Sequence, residues 1–210
     1  MFETVISEGV CRLGHDEARW LATGWDGGYR TADNAYNVSV PNGFERTDLD
    51  EYAAERLAEA DFERDGPVLL TGVNLDHARG ARAGGVTVVT TVGLSNPAAL
   101  PLDPASSTDS DTDSSGGPPL GTVNLLVGTT RALSDGTLAT LLATAVEAKA
   151  STLQSLTGFT GTTSDAVAVG CLADGDPAAF AGSGTAVGSA VRACIRDTLA
   201  ASLRSRYTDE

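Results

Sequence analysis

Two stretches decide the fold: Gly121-Thr122-Val123-Asn124-Leu125-Leu126-Val127-Gly128-Thr129 and Ala166-Val167-Ala168-Val169-Gly170-Cys171-Leu172. Each is a short, nearly continuous apolar run rich in valine, the pattern of a strand covered on both faces. Between them Ser134 and Asp135 open a segment in which Leu138, Leu141, Leu142, Ala145, Ala148, Thr152 and Leu156 recur at helical spacing. The spacing predicts a helix from Ser134 to about Leu156, with Ser134 as its cap. A last helix is predicted from about Ser183 to Arg204. Strand, helix, strand, helix makes this an α/β (α+β) chain, compatible with helices covering a mixed sheet and with two sheets stacked in α-β-β-α layers.

Upstream the pattern is more broken. Short β-branched and aromatic runs in Glu3 to Leu13 and Trp20 to Thr23, interrupted by the turn Gly24 to Gly28, read as strands with a hairpin. Thr47 caps a predicted helix to Ala60, in which Leu49, Tyr52, Ala53, Leu57 and Ala60 share one face. Pro67 opens a buried strand, Val68 to Val73, and another runs from Val86 to Val92, with the polar stretch Asn74 to Ala83 between them. From Leu100 to Pro119 the composition turns to Ser, Asp, Thr, Pro and Gly. This predicts a disordered acidic surface loop at about 101–119, within a single domain spanning 1–210.

Charge excludes several functions. Against 28 acidic side chains stand 14 basic ones, a formal charge of -14 over 210 residues, a balance that repels nucleic acid and anionic lipid at ordinary salt. Lys149 is the sole lysine. Acidic excess of this kind keeps a protein hydrated where high salt screens repulsion, so the chain reads as salt-adapted. No apolar run approaches the roughly 18 residues that span a bilayer, and no export signal opens the chain, so a cytoplasmic location without membrane or nucleic-acid partners is expected. Homo-oligomer formation is compatible with the sequence. Cys11, Cys171 and Cys194 are odd in number and far apart, and they read as small buried hydrophobes. With two histidines and no Cys/His cluster, no metal site and no cofactor are expected.

Polar residues stand where a core would place apolar ones. Asn34 and Asn37 lie in Asp33-Asn34-Ala35-Tyr36-Asn37-Val38-Ser39-Val40-Pro41, Asn96 follows Gly93-Leu94-Ser95, and Thr122 and Asn124 begin a strand. Strands disfavour Asn, and a carboxamide can donate and accept at once, so together these suggest groups gathered round a ligand. Thr160-Gly161-Thr162-Thr163-Ser164-Asp165 puts a hydroxyl-rich glycine turn before a buried strand. Its N–H groups suit an oxyanion, and Asp165 suits a general base. Glu147 and Lys149, two apart on a helix, point about 200° from each other. His77 follows a strand end.

In order and spacing, NAYNVSVP, GLSNP, GTVNLLV, the EAK of the long helix and TGTTSDAV resemble the archaeal adenosylcobinamide amidohydrolase family, from about Asp33 to Cys171. The resemblance implies salvage of incomplete corrinoids, in which the amide joining aminopropanol to the corrin side chain is hydrolysed to give adenosylcobyric acid. The substrate itself is then a cobalt corrinoid. A weaker similarity, Gly121 to Val169, concerns the α-β-β-α fold of aminopeptidases and ornithine acetyltransferases that mature by self-cleavage, and bears on fold alone. For the amidohydrolase chemistry the expected catalytic set is Asp165 as base, Lys149 or His77 as proton donor and Glu147 as the partner of Lys149. Asn96, Asn124, Thr162 and Thr163 are expected to hold the amide and its oxyanion, with Asn34 and Asn37 as further substrate-binding candidates. Thr122, also a substrate-binding candidate, is the alternative as covalent nucleophile, while Tyr36, Phe44, Trp25 and Phe159 would supply apolar walls. Rival classes are a corrinoid-binding protein without catalysis and an acyltransferase.

Overall fold

The computed structural model describes residues 1–98 and 121–207; the loop expected at 101–119 lies outside them. Of twelve strands among these residues, ten form two main sheets. The four-stranded sheet has the order β1 (Glu3–Ser7), β2 (Val10–Gly14), β5 (Asn34–Ser39), β6 (Val68–Thr71). The six-stranded sheet runs β4 (Gly28–Thr31), β3 (Ala18–Ala22), β12 (Ala166–Leu172), β10 (Val123–Thr129), β8 (Val86–Val92), β7 (Arg79–Ala83). β9 (Pro97–Ala98) and β11 (Gly161–Thr162) pair as a separate clip.

Each main sheet contains one parallel pair, β5 with β6 and β10 with β12. Parallel neighbours need a crossover, and helices supply both: α1 (Leu49–Glu59) in the first sheet and α2 (Asp135–Thr157) in the second. Because the sheets meet face to face, the helices take the outer faces. Tyr52, Ala53 and Leu57 of α1 cover Val10, Tyr36, Val38 and Val68. α2 and α3 (Ala186–Tyr207) cover Leu125, Val127, Val167 and Val169. The result is the α-β-β-α stack, with the apolar inter-sheet layer built from Phe2, Leu13, Trp20, Leu69, Val89 and Leu126.

Several boundaries moved for local reasons. α1 begins after Asp48, not Thr47, and no side chain caps it; Arg46 instead holds Asp48 and Glu55, and this guanidinium pulls the Asp48 carboxyl down to about 2. α3 starts at Ala186 because Thr185 Oγ1 accepts the Gly188 N–H at 3.0 Å, a capping bond. The polar stretch Asn74 to Ala83 contains a short 3-10 turn, Leu75–His77, and the edge strand β7, whose arginines suit an edge. Ser134 does cap α2, accepting from the Thr137 N–H at 3.3 Å, and Gly158 ends the helix in left-handed conformation, φ 81°. The inward stripe of α2 continues through Lys149 and Leu153, leaving Leu156 53% exposed.

Aromatic rings packed in the inter-sheet layer demand glycine at two inner positions, Gly170 beside Trp20 of the adjacent strand β3 and Gly128 beside Phe2. A Cβ on Gly170 would lie 2.6 Å from the Trp20 ring, and one on Gly128 would lie 2.4 Å from the Phe2 ring. Trp20 cannot yield easily, being fully buried with its indole N–H bonded to Ala32 O at 3.0 Å. Gly170→Ala is therefore expected to lower stability by about 1–3 kcal/mol through overpacking, measured as a lower denaturation midpoint with an unchanged slope; a midpoint equal to wild type would contradict this tight cross-strand contact with Trp20.

Candidate active site

One end of the sandwich gathers the chain segments that carry most of the polar motifs. The C-terminal ends of β6 and β8 reach it, as do the N-terminal ends of β10 and β12, because β8 is antiparallel to β10 while β12 is parallel to it. Asn124 sits on the inner face, 1% exposed, where its Nδ2 donates to Asn37 Oδ1 and to Leu70 O, both at 2.8 Å, and its Oδ1 accepts the Ala166 N–H at 3.1 Å. Asn37 donates onward to Thr91 Oγ1 at 3.0 Å. These amide donors are used within the protein. The two asparagines thus join β5, β6, β10 and β12 around the site.

Two residues before Asn124, just ahead of β10, Thr122 Oγ1 lies 2.6 Å from Thr71 Oγ1 at the end of β6. Thr71 is fully buried and Thr122 is 6% exposed. Both line a cavity of about 250 Å³ with Trp25, Phe44, Leu49 and Ser164. Trp25 and Phe44 are thus the apolar walls. Tyr36 is core beneath α1, its hydroxyl donating to Glu63 O at 2.7 Å, and Phe159 does not line this cavity.

Behind the start of β10 lies the second cluster. Lys149 Nζ donates to Asp165 Oδ2, in an ion pair whose side chains are each 10% exposed. Asp165 Oδ1 also accepts the Val123 N–H at 2.9 Å and the Thr162 hydroxyl at 2.5 Å, and the Thr162 N–H is 3.1 Å from both oxygens. A carboxylate offers about four lone-pair positions, and four donors occupy them. The pair therefore clamps the 161–165 turn to the backbone beside Thr122. At the surface, Asn96 Nδ2 donates to Thr163 Oγ1, and the β9–β11 clip runs alongside.

Three expected members lie elsewhere. Glu147 is on the outside of α2, paired with Arg192 of α3, so it is not the partner of Lys149; the two-residue spacing puts them on opposite sides and Asp165 takes that place. His77 is bonded through Nδ1 to Ser205 Oγ at 3.0 Å and does not bond to Asp165 or Lys149. Asn34 donates to Asp65 at 3.0 Å, three residues and so about 10 Å along β5 from Asn37. The residue missed from sequence is Thr71. It ends an apolar run where a threonine reads as an ordinary β-former; only its depth in the seam marks it.

Among the described residues no group of three or more His, Cys, Asp or Glu side chains is placed to hold a metal ion, and no helix is long and apolar enough to cross a membrane. Cys11, Cys171 and Cys194 are buried and free; burial pushes the Cys11 thiol up to about 12. They are structural.

Fold and site define a layered α-β-β-α protein of enzyme type, in which a small cavity with paired hydroxyls opens at the end of two stacked sheets. The chain belongs to the CbiZ family, adenosylcobinamide amidohydrolase, whose family model matches residues 8–210. A curated relative, the adenosylcobinamide amidohydrolase of Halobacterium salinarum, is 52% identical over 208 residues, covering 98% of this chain and 89% of that protein.

Gly161 is where the clamp is most sensitive, since a Cβ there would meet Asp165 Oδ2 at 2.3 Å and Lys149 Nζ at 2.9 Å. Lys149→Ala, which leaves a nearly buried carboxylate without a counter-ion, is expected to destabilise by on the order of 3 kcal/mol, and Gly161→Ala by a smaller amount through displacement of the pair. Chemical denaturation of the two variants checks both; wild-type stability in Lys149→Ala would show that the pair contributes nothing.

Proposed function

We propose that this protein is an adenosylcobinamide amidohydrolase that cleaves the amide between the corrin side chain and aminopropanol, giving adenosylcobyric acid. The observation that carries this reading is the family match over nearly the whole chain. The cavity agrees with it in size. A space of about 250 Å³ is below the range for drug-sized ligands, so it admits the amide arm while the corrin macrocycle rests outside.

The geometry favours Thr122 over an Asp165-activated water. Asp165 has its lone pairs occupied and meets β10 at the backbone N–H of Val123, whereas the Thr122 hydroxyl lines the cavity. Thr122 Oγ attacks the amide carbon, the C–N bond breaks, and the hydroxyl proton leaves with the nitrogen as aminopropanol. Water then adds to the Thr122 ester, its O–H supplying one proton back to Thr122 and its hydroxyl completing the carboxyl of adenosylcobyric acid. Lys149 and Asp165 hold Thr162 and the start of β10 in place during both steps. Ser164, at the cavity wall, and its chain neighbour Thr163 with Asn96 meet the substrate. The protein acts in the cytoplasm without a further cofactor.

Incubation with adenosylcobinamide in molar potassium chloride, followed by mass spectrometry, is expected to yield adenosylcobyric acid and free aminopropanol. Recovery of intact cobinamide bound to folded protein would replace the enzyme with a corrinoid carrier. Thr122→Val is expected to reduce turnover by about 10³-fold or more, as loss of a nucleophile does, with Asp165→Asn less severe; turnover near wild type in Thr122→Val would return the attack to water.

A further inference from the structure

Thr71 belongs to β6, in the other sheet from Thr122, yet the two hydroxyl oxygens are 2.6 Å apart at the cavity floor. Thr71 is fully buried, and its Oγ1 accepts the Val73 N–H at 3.1 Å. Either hydroxyl could donate in this pair, but Thr122 Oγ1 is the one acceptor in reach of the buried Thr71 proton among the described residues, and leaving that proton unpaired would cost its desolvation. Thr122 Oγ1 then accepts from Thr71 and keeps its own proton free to face the cavity. A hydroxyl that receives a hydrogen bond is held in one rotamer, and the same bond strengthens as negative charge builds on its oxygen.

Neighbouring groups reinforce the placement. Leu70 O, one residue before Thr71, accepts from Asn124, two residues after Thr122, so the two strands are also tied together on the inner side of the hydroxyl pair. Gly121 packs so closely on the 93–96 segment that a Cβ would meet Ser95 N at 2.5 Å and Asn96 N at 2.7 Å. The backbone leading into Thr122 therefore has little room to shift, and the remaining freedom of its side chain is its rotation, which Thr71 stops.

We propose that Thr71 is a positioning residue for the amide cleavage, donating a hydrogen bond across the two sheets that orients the Thr122 hydroxyl for attack and stabilises its oxygen as it leaves the ester in the second step. The proposal rests on the amidohydrolase reading with Thr122 as nucleophile. Thr71 touches no substrate in this role, so its removal affects the chemical step and leaves binding alone.

The test measures kcat and KM for adenosylcobinamide hydrolysis in Thr71→Val, Thr71→Ser and Thr71→Ala beside wild type and Thr122→Val. Loss of one hydrogen bond to a charge-developing oxygen is expected to lower kcat about 10- to 100-fold in Thr71→Val with KM unchanged, and Thr71→Ser, which keeps the hydroxyl, is expected to restore most of it. An unchanged kcat in Thr71→Val overturns the proposal, as does a rise in KM at constant kcat or an equal loss in Thr71→Ser. If Thr71→Val fails to give a cooperative unfolding transition, Thr71→Ala, which removes the same hydroxyl without adding bulk, takes its place under the same criteria. Failure of the underlying reading looks different: wild type that does not hydrolyse the substrate removes the activity, and an active Thr122→Val removes the group Thr71 would orient.

Discussion

The Asn124 carboxamide is the contact on which the rest of the arrangement depends. Its two N–H groups reach β5 and β6 in the four-stranded sheet, while its oxygen takes the first N–H of β12 in its own sheet. A buried amide with any of these partners missing would cost the desolvation of that group, about 1–3 kcal/mol. The two sheets therefore have one relative placement in which this side chain is satisfied, and sliding either by a residue would bury an orphaned donor. Once the seam is set, Thr71 and Thr122 are brought together at its open end.

The Lys149–Asp165 pair performs the corresponding task on the helix side of β10. Most ion pairs of this protein join arginines to carboxylates at the surface, where salt screens them and each contributes little. Lys149–Asp165 is nearly buried, so screening by salt reaches it far less. A buried pair is no general source of stability, because desolvation offsets its attraction. Its value here is geometric: four donors converge on one carboxylate, fixing the turn 161–165, the end of the α2 register and the backbone beside Thr122. The position of the sole lysine in a chain otherwise using arginine follows from this, since a compact ammonium fits where Gly161 leaves no room for a Cβ.

The acidic surface, the layered fold and the narrow cavity bear on different aspects of the same activity. Charge governs hydration and the partners that are repelled. The stacked sheets supply a rigid edge at which strand ends from both halves of the chain meet, and rigid elements hold reacting groups more exactly placed than loops can. The cavity is small because inter-sheet spacing is small, which in the proposed function suits an arm of a large substrate.

Sequence alone determined the element types of the C-terminal half, since the apolar runs of β10 and β12 and the stripe of α2 are local periodicities. It also determined the layered class and the family, and it picked out Asp165, Lys149, Thr122, Asn124 and the 160–165 turn as unusual. It could not assign their partners. Glu147 stands two residues from Lys149 yet faces Arg192, Asp165 is reached across a turn, and Thr71 is fifty-one residues from Thr122. Edge strand β7 was hidden because an edge needs no apolar alternation, and the inward turn of Lys149 was hidden because a charge is buried only when a partner from elsewhere meets it. Tertiary structure decided which polar groups satisfy one another and which face the cavity, because hydrogen bonding and burial depend on distances between strands that the chain brings together only on folding.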